Sequence, residues 1–291
     1  MDNIIVMRSE DLRVRVSPRF GTVLDGYHRN GRPFLRPFAG QGASFAPTDT
    51  ACFPMVPFSN RVGGNAFAYE GREYSFEPND ASPFYLHGEG WLSDWTVTES
   101  ASDAIVLTLR RTDDARSPYA YEATQRLTLD GSRMTMRLEV ENRARHAMPF
   151  GLGFHPYFPR TPQMTLQASA RSWWTEDDYH VPDRNEPLPD TVDFSKARQL
   201  PHYGLNNCFE GWDRFAALNW PENGLLATIE ADSVFSRYML FSPPPDFAFL
   251  CFEPMSHTAN GFHHPNFGGL IKLAPGESMS GEMRITVGEI S

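Results

Sequence analysis

Apolar and polar positions alternate along much of the chain. Leu12, Val14 and Val16 alternate with Arg13 and Arg15, and Pro18 and Gly21 then mark a turn. A period of two is the pattern of a strand with one buried face. Val23-Leu24 and Pro33-Phe34-Leu35 predict further short strands, and Gly40 to Pro57 reads as loop. Ala66-Phe67-Ala68-Tyr69, Glu70-Gly71 and Tyr74-Ser75-Phe76 predict a hairpin with a glycine turn, followed by a loop-like stretch from Asn79 to Trp91. The clearest pattern comes next. Ile105, Leu107 and Leu109 alternate with polar neighbours. Leu127 and Leu129 then lead through Asp130-Gly131 into Met134, Met136, Leu138 and Val140. Alternation on both sides of an Asp-Gly pair is a strong hairpin signal, and it predicts a sheet with one buried and one wetted face. Met164, Leu166, Ala168 and Ala170 predict another strand. Trp173 to Pro201 reads as acidic, proline-rich loop with one helical turn near Ser195 to Leu200. Strands resume at Leu225 to Glu230, Tyr238 to Ser242 and Phe247 to Phe252, and Met283, Ile285 and Val287 close the series. With no linker or repeat, the expectation is an all-β protein: one large antiparallel β-sandwich domain over residues 1–291, with very little helix.

Composition supports this. The 24 prolines and 22 glycines recur too often to leave many helices uninterrupted. The 36 acidic against 26 basic residues leave a formal charge of −10. That charge argues against nucleic acid or an anionic membrane surface as a partner and is compatible with a neutral small ligand. Cys52, Cys208 and Cys251 have no metal-like spacing, and their odd number argues against a disulfide framework. Buried thiols in a reducing compartment are the expectation. The N-terminal run Ile4 to Met7 is short and is followed by Arg8. No signal peptide or membrane span is predicted, and the expected location is cytoplasmic.

Polar side chains in suggestive settings fall at Asn60-Arg61, His87-Gly88, His155 and Glu253. His155 lies in PFGLGFHPYFPR among Phe154, Tyr157 and Phe158, with Gly151 and Gly153 before it and Pro156 after it. The glycines let other groups approach the backbone, and the proline removes an amide donor. The pattern reads as a strand, an exposed turn and an aromatic wall. Two roles fit the imidazole: a core histidine bonded to a carbonyl, or a proton-transfer group at a pocket mouth. Glu253 follows the apolar run Phe249-Leu250-Cys251-Phe252 and reads as a strand-end carboxylate. It is either an ordinary ion-pair partner or a functional acid.

Taken together, SNRVGGNAFAYEG, LHGEGW, GFHPYF, EPMSHTANG and LAPGE resemble, in order, the signatures of the aldose 1-epimerases (galactose mutarotases). The resemblance runs from about Arg13 to Val287 and implies that family's large β-sandwich. It further implies a cofactor-independent isomerase that interconverts the α and β anomers of a free aldose. In that reading Glu253 is the general base and His155 the general acid, on opposite sides of the sugar ring. Asn60, Arg61, His87 and Asn206 bind sugar hydroxyls or the ring oxygen. No metal or cofactor is implied, the partner is a small-molecule sugar, and the assembly is a monomer or homodimer. An ionised Glu253 together with a protonated His155 implies a bell-shaped pH dependence of kcat/KM.

Two positions depart from the family pattern. Asn206, in LNNCFEGW, stands where the family usually has a hydroxyl-binding aspartate. SPPPDF, from Ser242 to Phe247, stands where many members carry a glutamine. Both bear on the choice of sugar. Trp91, Trp212 and Phe154 are candidate stacking rings, with core packing as the alternative for each. A metal site at His257, His263 and His264 lacks a recognised ligand spacing, and a polar loop is the simpler account. Two further alternatives remain. One is an epimerase acting on a phosphorylated or sulfonated hexose, for which Arg8, Arg13, Arg15, Arg19 and Arg36 supply positive charge. The other is a non-catalytic sugar-binding protein of the same fold.

Overall fold

The computed structural model describes residues 4–38, 40, 45–244 and 248–290. Among them, helix is confined to short 3-10 turns, and strands run from Ile5 to Glu289. Two large antiparallel sheets dominate. The first has ten strands in the order Ile5–Arg8, Leu12–Ser17, Thr22–His28, Cys52–Met55, Gly153–Pro159, Phe249–Met255, Arg237–Ser242, Leu205–Glu210, Ser172–Glu176 and Pro182–Pro187. The second has eight strands, in the order Thr165–Ala168, Phe215–Trp220, Leu225–Ala231, Ser278–Glu289, Arg133–Asn142, Tyr121–Asp130, Ala104–Arg111 and Thr96–Ser100. Side chains of both sheets share one continuous apolar core that includes Val14, Phe154, Phe252, Leu107, Met136 and Ile285. This is the all-β antiparallel sandwich expected from the alternation. Among the described residues, no helix is long and apolar enough to cross a membrane.

The strongest sequence pattern maps onto the simplest geometry. Tyr121–Asp130 pairs with Arg133–Asn142 from Tyr121 opposite Asn142 to Asp130 opposite Arg133. The two-residue turn between them is Gly131-Ser132, with Gly131 at φ 53°. The left-handed conformation is one glycine adopts freely. The Phe67 hairpin also forms, with Ala66–Tyr69 against Arg72–Ser75.

The central strands of the ten-stranded sheet read differently. Cys52–Met55 lies in what the sequence presented as loop, and all four of its residues are buried. Gly153–Pro159 is buried throughout. His155 therefore sits inside a central strand, not in an exposed turn. Glu253 likewise lies within Phe249–Met255 and not at a strand end. Strands covered on both faces lose their visible alternation, and the prolines add to the loop-like appearance. Pro54, Pro156 and Pro254 lack amide hydrogens, and between Gly153–Met255 and Tyr157–Cys251 the ladder is interrupted.

Alternation nevertheless holds in three dimensions. Phe154, Phe158, Leu250 and Phe252 face the inter-sheet core. Phe53, Met55, Tyr157, Met239, Cys251 and Met255 form a separate cluster on the outer face. His155 and Glu253 share the parity of this outer set.

Three further expectations are corrected. Pro33 makes only an isolated bridge to Tyr27, because Phe34 and Leu35 fold into the core without a partner strand. The stretch after Trp173 holds two strands, Ser172–Glu176 and Pro182–Pro187. Ser172–Glu176 is half-buried along its whole length and Pro182–Pro187 is polar and mostly exposed, so neither carries apolar alternation. The turn expected near Ser195 to Leu200 is non-helical; a 3-10 turn occurs earlier, at Asp190–Val192. In SPPPDF, Pro245 to Phe247 lie outside the described residues.

Candidate active site

A cavity of about 270 Å³ opens on the outer face of the ten-stranded sheet. It is lined by Asn60, Arg61, His87, His155, Asn206 and Glu253, which are all six of the polar residues singled out from sequence. Thr48, Phe53, Asp80, Leu86, Trp91, Tyr157, His180, Met239 and Phe241 complete the lining. Apolar walls with a few convergent polar groups suit a small ligand.

His155 and Glu253 stand on adjacent strands. The register that sets Gly153 opposite Met255 and Tyr157 opposite Cys251 sets these two residues opposite each other. His155 Nε2 lies 3.2 Å from Glu253 Oε1. The acid and base implied by the resemblance are thus side by side on one wall of the cavity, not across it. Two rings pack against the imidazole. Phe53 lies 4.3 Å from it at 31°, and Tyr157 lies 4.8 Å away at 25°. The Arg36 guanidinium lies 3.8 Å from the centre of the Tyr157 ring and is tied to the carbonyls of Thr48 and Thr50.

Burial dominates the charge behaviour of this pair. Burial, with a smaller contribution from Arg36, pushes His155 down to about 3. It pushes Glu253 well above the ordinary carboxylate range, against the opposing influence of Arg61. Both shifts favour the uncharged forms. Together the two groups hold one proton over a wide pH range, and whichever carries it donates to the other. His155 Nδ1 and Glu253 Oε2 are buried without a hydrogen-bond partner. Unpaired buried polar atoms at a cavity are costly unless a ligand completes them.

The Asn60-Arg61 turn and the His87 loop brace one another. Asn60 N–H donates to His87 Nδ1 at 3.0 Å, and His87 N–H donates to the Asn60 carbonyl at 3.0 Å. Since Nδ1 accepts, the neutral imidazole carries its proton on Nε2. Burial, followed by His155 and Arg61, holds His87 well below its usual value, so it is a neutral donor. Asn60 and His87 take left-handed φ values of 63° and 59°, sparsely populated conformations that Asn and His tolerate better than most residues. The Asn60 Oδ1 accepts from the Arg61 amide at 2.8 Å. Arg61 Nε is buried without a partner. Burial lowers the Arg61 pKa, and Glu176, Glu253, Asp80 and Asp177 act in the opposite direction.

Sequence reasoning missed the residues that hold this turn. His257 is fully buried; its Nε2 accepts the Ser59 N–H at 2.9 Å, and its Nδ1 donates to the Thr258 carbonyl at 2.8 Å. Asn260 Oδ1 accepts the Gly63 N–H at 2.9 Å. Gly151 leaves the room this requires, since a Cβ there would stand 2.1 Å from the His257 ring. A Cβ on Gly153 would stand 2.3 Å from Ser59 Oγ. The two glycines that precede His155 thus serve the neighbouring turn. His263 bonds Asn260, and His264 stacks on Trp174 at 4.3 Å, so these three histidines have three separate roles. Among the described residues, the set that could ligate a metal is His155, Cys251 and Glu253, within 4.8 Å of one another. It uses the same imidazole and carboxylate as the proton-transfer pair, and burial holds the Cys251 thiol well up, in its poorly ligating form.

Of the three candidate stacking rings, Trp91 lines the cavity. Trp212 and Phe154 belong to the inter-sheet core. Phe53 could have been found from sequence only by recognising Cys52–Met55 as a buried strand.

A family model described as aldose 1-epimerase matches residues 4–286. YphB, an uncharacterized protein of Escherichia coli K12, is 37% identical over 292 residues, covering 98% of each chain. The crystal structure of a candidate aldose 1-epimerase from Escherichia coli K12 superposes with a TM-score of 0.94 at 35% identity, over 100% of both chains. The GalM/aldose epimerase homologue of C. elegans shares the fold at a TM-score of 0.86 and 15% identity, again over 100% of both chains.

Proposed function

We propose that this chain, which belongs to the aldose 1-epimerase family of isomerases, interconverts the α and β anomers of a free, uncharged aldose through the His155–Glu253 pair. The contact of 3.2 Å between His155 Nε2 and Glu253 Oε1 inside a sugar-sized cavity carries the reading. The hydroxyl oxygen and the ring oxygen of a hemiacetal are both bonded to C1, so two neighbouring proton-transfer groups can reach both. Glu253 takes the proton of the C1 hydroxyl while His155 gives one to the ring oxygen. The C1–ring oxygen bond breaks, the aldehyde forms, and C1 rotates about C1–C2. Closure on the other face returns both protons and restores the pair. A singly protonated pair is all the cycle requires. Sugar hydroxyls supply partners for the orphaned Glu253 Oε2 and His155 Nδ1, which favours the carboxylate–imidazolium arrangement on binding. His87 and Arg61 offer donors to the sugar oxygens, and proton transfer so positioned contributes about 10²- to 10⁴-fold.

The charge around the cavity favours an uncharged sugar over the phosphorylated or sulfonated alternative. Arg61 is the one arginine or lysine in the described lining, and Asp80, Glu176, Asp177 and Glu253 surround it. Three of the N-terminal arginines are engaged by other side chains. Arg15 pairs with Asp25, Arg13 lies over Tyr27, and Arg36 is fixed on Tyr157. An anionic sugar would find no arginine cluster in the described lining. Anomer exchange followed by NMR on freshly dissolved α-anomers, free and phosphorylated, tests the proposal. Acceleration over buffer with at least one free aldose is expected. A preference for a phosphorylated sugar overturns the substrate class, and no acceleration with any aldose overturns the activity.

A further inference from the structure

The strand Ser172–Glu176 lies beside Leu205–Glu210, with Ser172 opposite Glu210 and Trp173 opposite Phe209. Continued along both strands, that register brings Glu176 opposite Asn206. Asn206 Nδ2 is 3.1 Å from Glu176 Oε2, and His180 Nδ1 is 3.0 Å from Glu176 Oε1. Asn206 and His180 both line the cavity, and the Glu176 carboxylate stands behind them with its side chain 23% exposed. The backbone on either side is pinned. Asn207 Nδ2 donates to the Trp174 carbonyl at 2.9 Å, and Asn207 Oδ1 accepts the Asn206 N–H at 3.2 Å.

We propose that Glu176 is a specificity-determining positioning residue: it fixes the Asn206 amide with its oxygen facing the cavity, as the acceptor for one particular sugar hydroxyl. This rests on the reading of the cavity as an aldose site. An amide side chain can present its nitrogen or its oxygen to a cavity, and by itself it discriminates little. A carboxylate only accepts hydrogen bonds, so the amide group facing Glu176 is the nitrogen. Asn206 Oδ1 then points away from Glu176, and no hydrogen bond among the described residues engages it. The charge of Glu176 holds this orientation through a charge-assisted bond, and His180 holds Glu176. A fixed acceptor rewards a hydroxyl at one position of the sugar and is left unpaired when that hydroxyl is missing or inverted. Anionic character behind an amide here does the orienting that a single carboxylate would otherwise do directly.

The test compares the full-length wild type with Glu176→Met, Glu176→Gln, Asn206→Ala and the Glu176→Met/Asn206→Ala double variant. Anomer exchange and equilibrium binding are measured on the best free aldose and on its monodeoxy analogues. Glu176→Met removes every acceptor and should raise KM and Kd about tenfold, with kcat within about twofold. In wild type one deoxy analogue binds distinctly more weakly than the others, and in Glu176→Met that difference collapses. The double variant behaves like Asn206→Ala alone. Glu176→Gln keeps a neutral acceptor and gives a smaller loss, and it serves as the test if the methionine variant does not fold. The inference is overturned if neither Glu176 variant changes KM or the deoxy-sugar pattern, or if the effects of Glu176→Met and Asn206→Ala add. If the wild type accelerates exchange of no aldose, the catalytic reading fails, and the Kd comparison still decides the role of Glu176. Absence of binding to every aldose overturns both.

Discussion

The hairpin Tyr121–Asp130 with Arg133–Asn142 and the pair Gly153–Pro159 with Phe249–Met255 are both antiparallel, but their alternate side chains go to different environments. In the hairpin, Met134, Met136, Leu138 and Val140 enter the core, and Thr135, Arg137, Glu139 and Glu141 meet water. In the central pair, one set (Phe154, Phe158, Leu250, Phe252) enters the same core. The other set (His155, Tyr157, Cys251, Glu253) is buried a second time, beneath the turns that carry Asn60 and His87. One sheet face facing water allows stability without chemistry. A sheet face covered by loops provides a desolvated floor on which an imidazole and a carboxylate lose their charges.

The sharpest test of this division is Glu253→Gln. It should lower kcat for anomer exchange about 10²- to 10⁴-fold while sugar binding, followed by NMR titration, persists. Parallel loss of binding would make Glu253 a ligand anchor and not the base. Stability should hold or rise, because a neutral amide replaces a buried carboxyl group. The neighbouring residue on the opposite face should behave inversely. Phe252→Ala should cost about 3–5 kcal/mol in urea unfolding, with kcat retained in the fraction that remains folded. Selective loss of exchange in Phe252→Ala, with stability intact, would break the separation between the two faces.

The pH response is the next largest effect. In the proposed cycle the pair works with one proton. It gains a second below about 3, where His155 titrates, and it loses its only one above the raised Glu253 value. Between pH 6.5 and about 4, kcat/KM should therefore stay flat; the bell expected from unshifted groups is widened by burial. A limb near the ordinary histidine value of 6.5 would show that His155 is hydrated. Stability should respond where activity does not. His155 and His257 are held neutral by burial, at about 3 and about 4. The unfolded chain binds their protons from about 6.5 downward, so stability falls as pH drops through that window. Glu253, shifted upward, has the opposite sign: its contribution is complete at low pH and is lost as pH rises through its raised value. Urea midpoints measured against pH should show the acid-side fall, and His257→Gln should remove part of it.

The smallest effect belongs to the wetted face. Arg126 and Glu99 are 3.0 Å apart with side chains 48% and 65% exposed. Arg126→Gln should change stability by no more than about 0.2–1 kcal/mol and leave exchange unchanged. A larger change would mean that this face is covered by something in solution.

What could be read along the chain follows the same division. Strands with one wet face, such as Leu12–Ser17, Tyr121–Asp130 and Ser278–Glu289, carry a period of two and were legible. Cys52–Met55 was not, because all of it is buried and Pro54 interrupts it. Ser172–Glu176 was missed for the opposite reason: every residue in it is half-buried. With Cys52–Met55 went Phe53, one of the two rings that pack against His155. With Ser172–Glu176 went Glu176, the partner of Asn206. His257 was hidden among the polar residues of SHTANG, since no local pattern shows that an imidazole accepts an amide proton from Ser59 in the distant Asn60 turn.

The sequence alone determined that this protein is an antiparallel β-sandwich, and it marked Asn60, Arg61, His87, His155, Asn206 and Glu253 as the polar groups to watch. Alternation and turn chemistry are local, and so can be read from neighbouring residues. Only the tertiary structure decided that His155 and Glu253 touch, that burial disfavours their expected charges, and that Glu176 stands behind Asn206. Those facts depend on which strands become neighbours and what covers them. Desolvation is a property of the whole fold, and no stretch of sequence carries it.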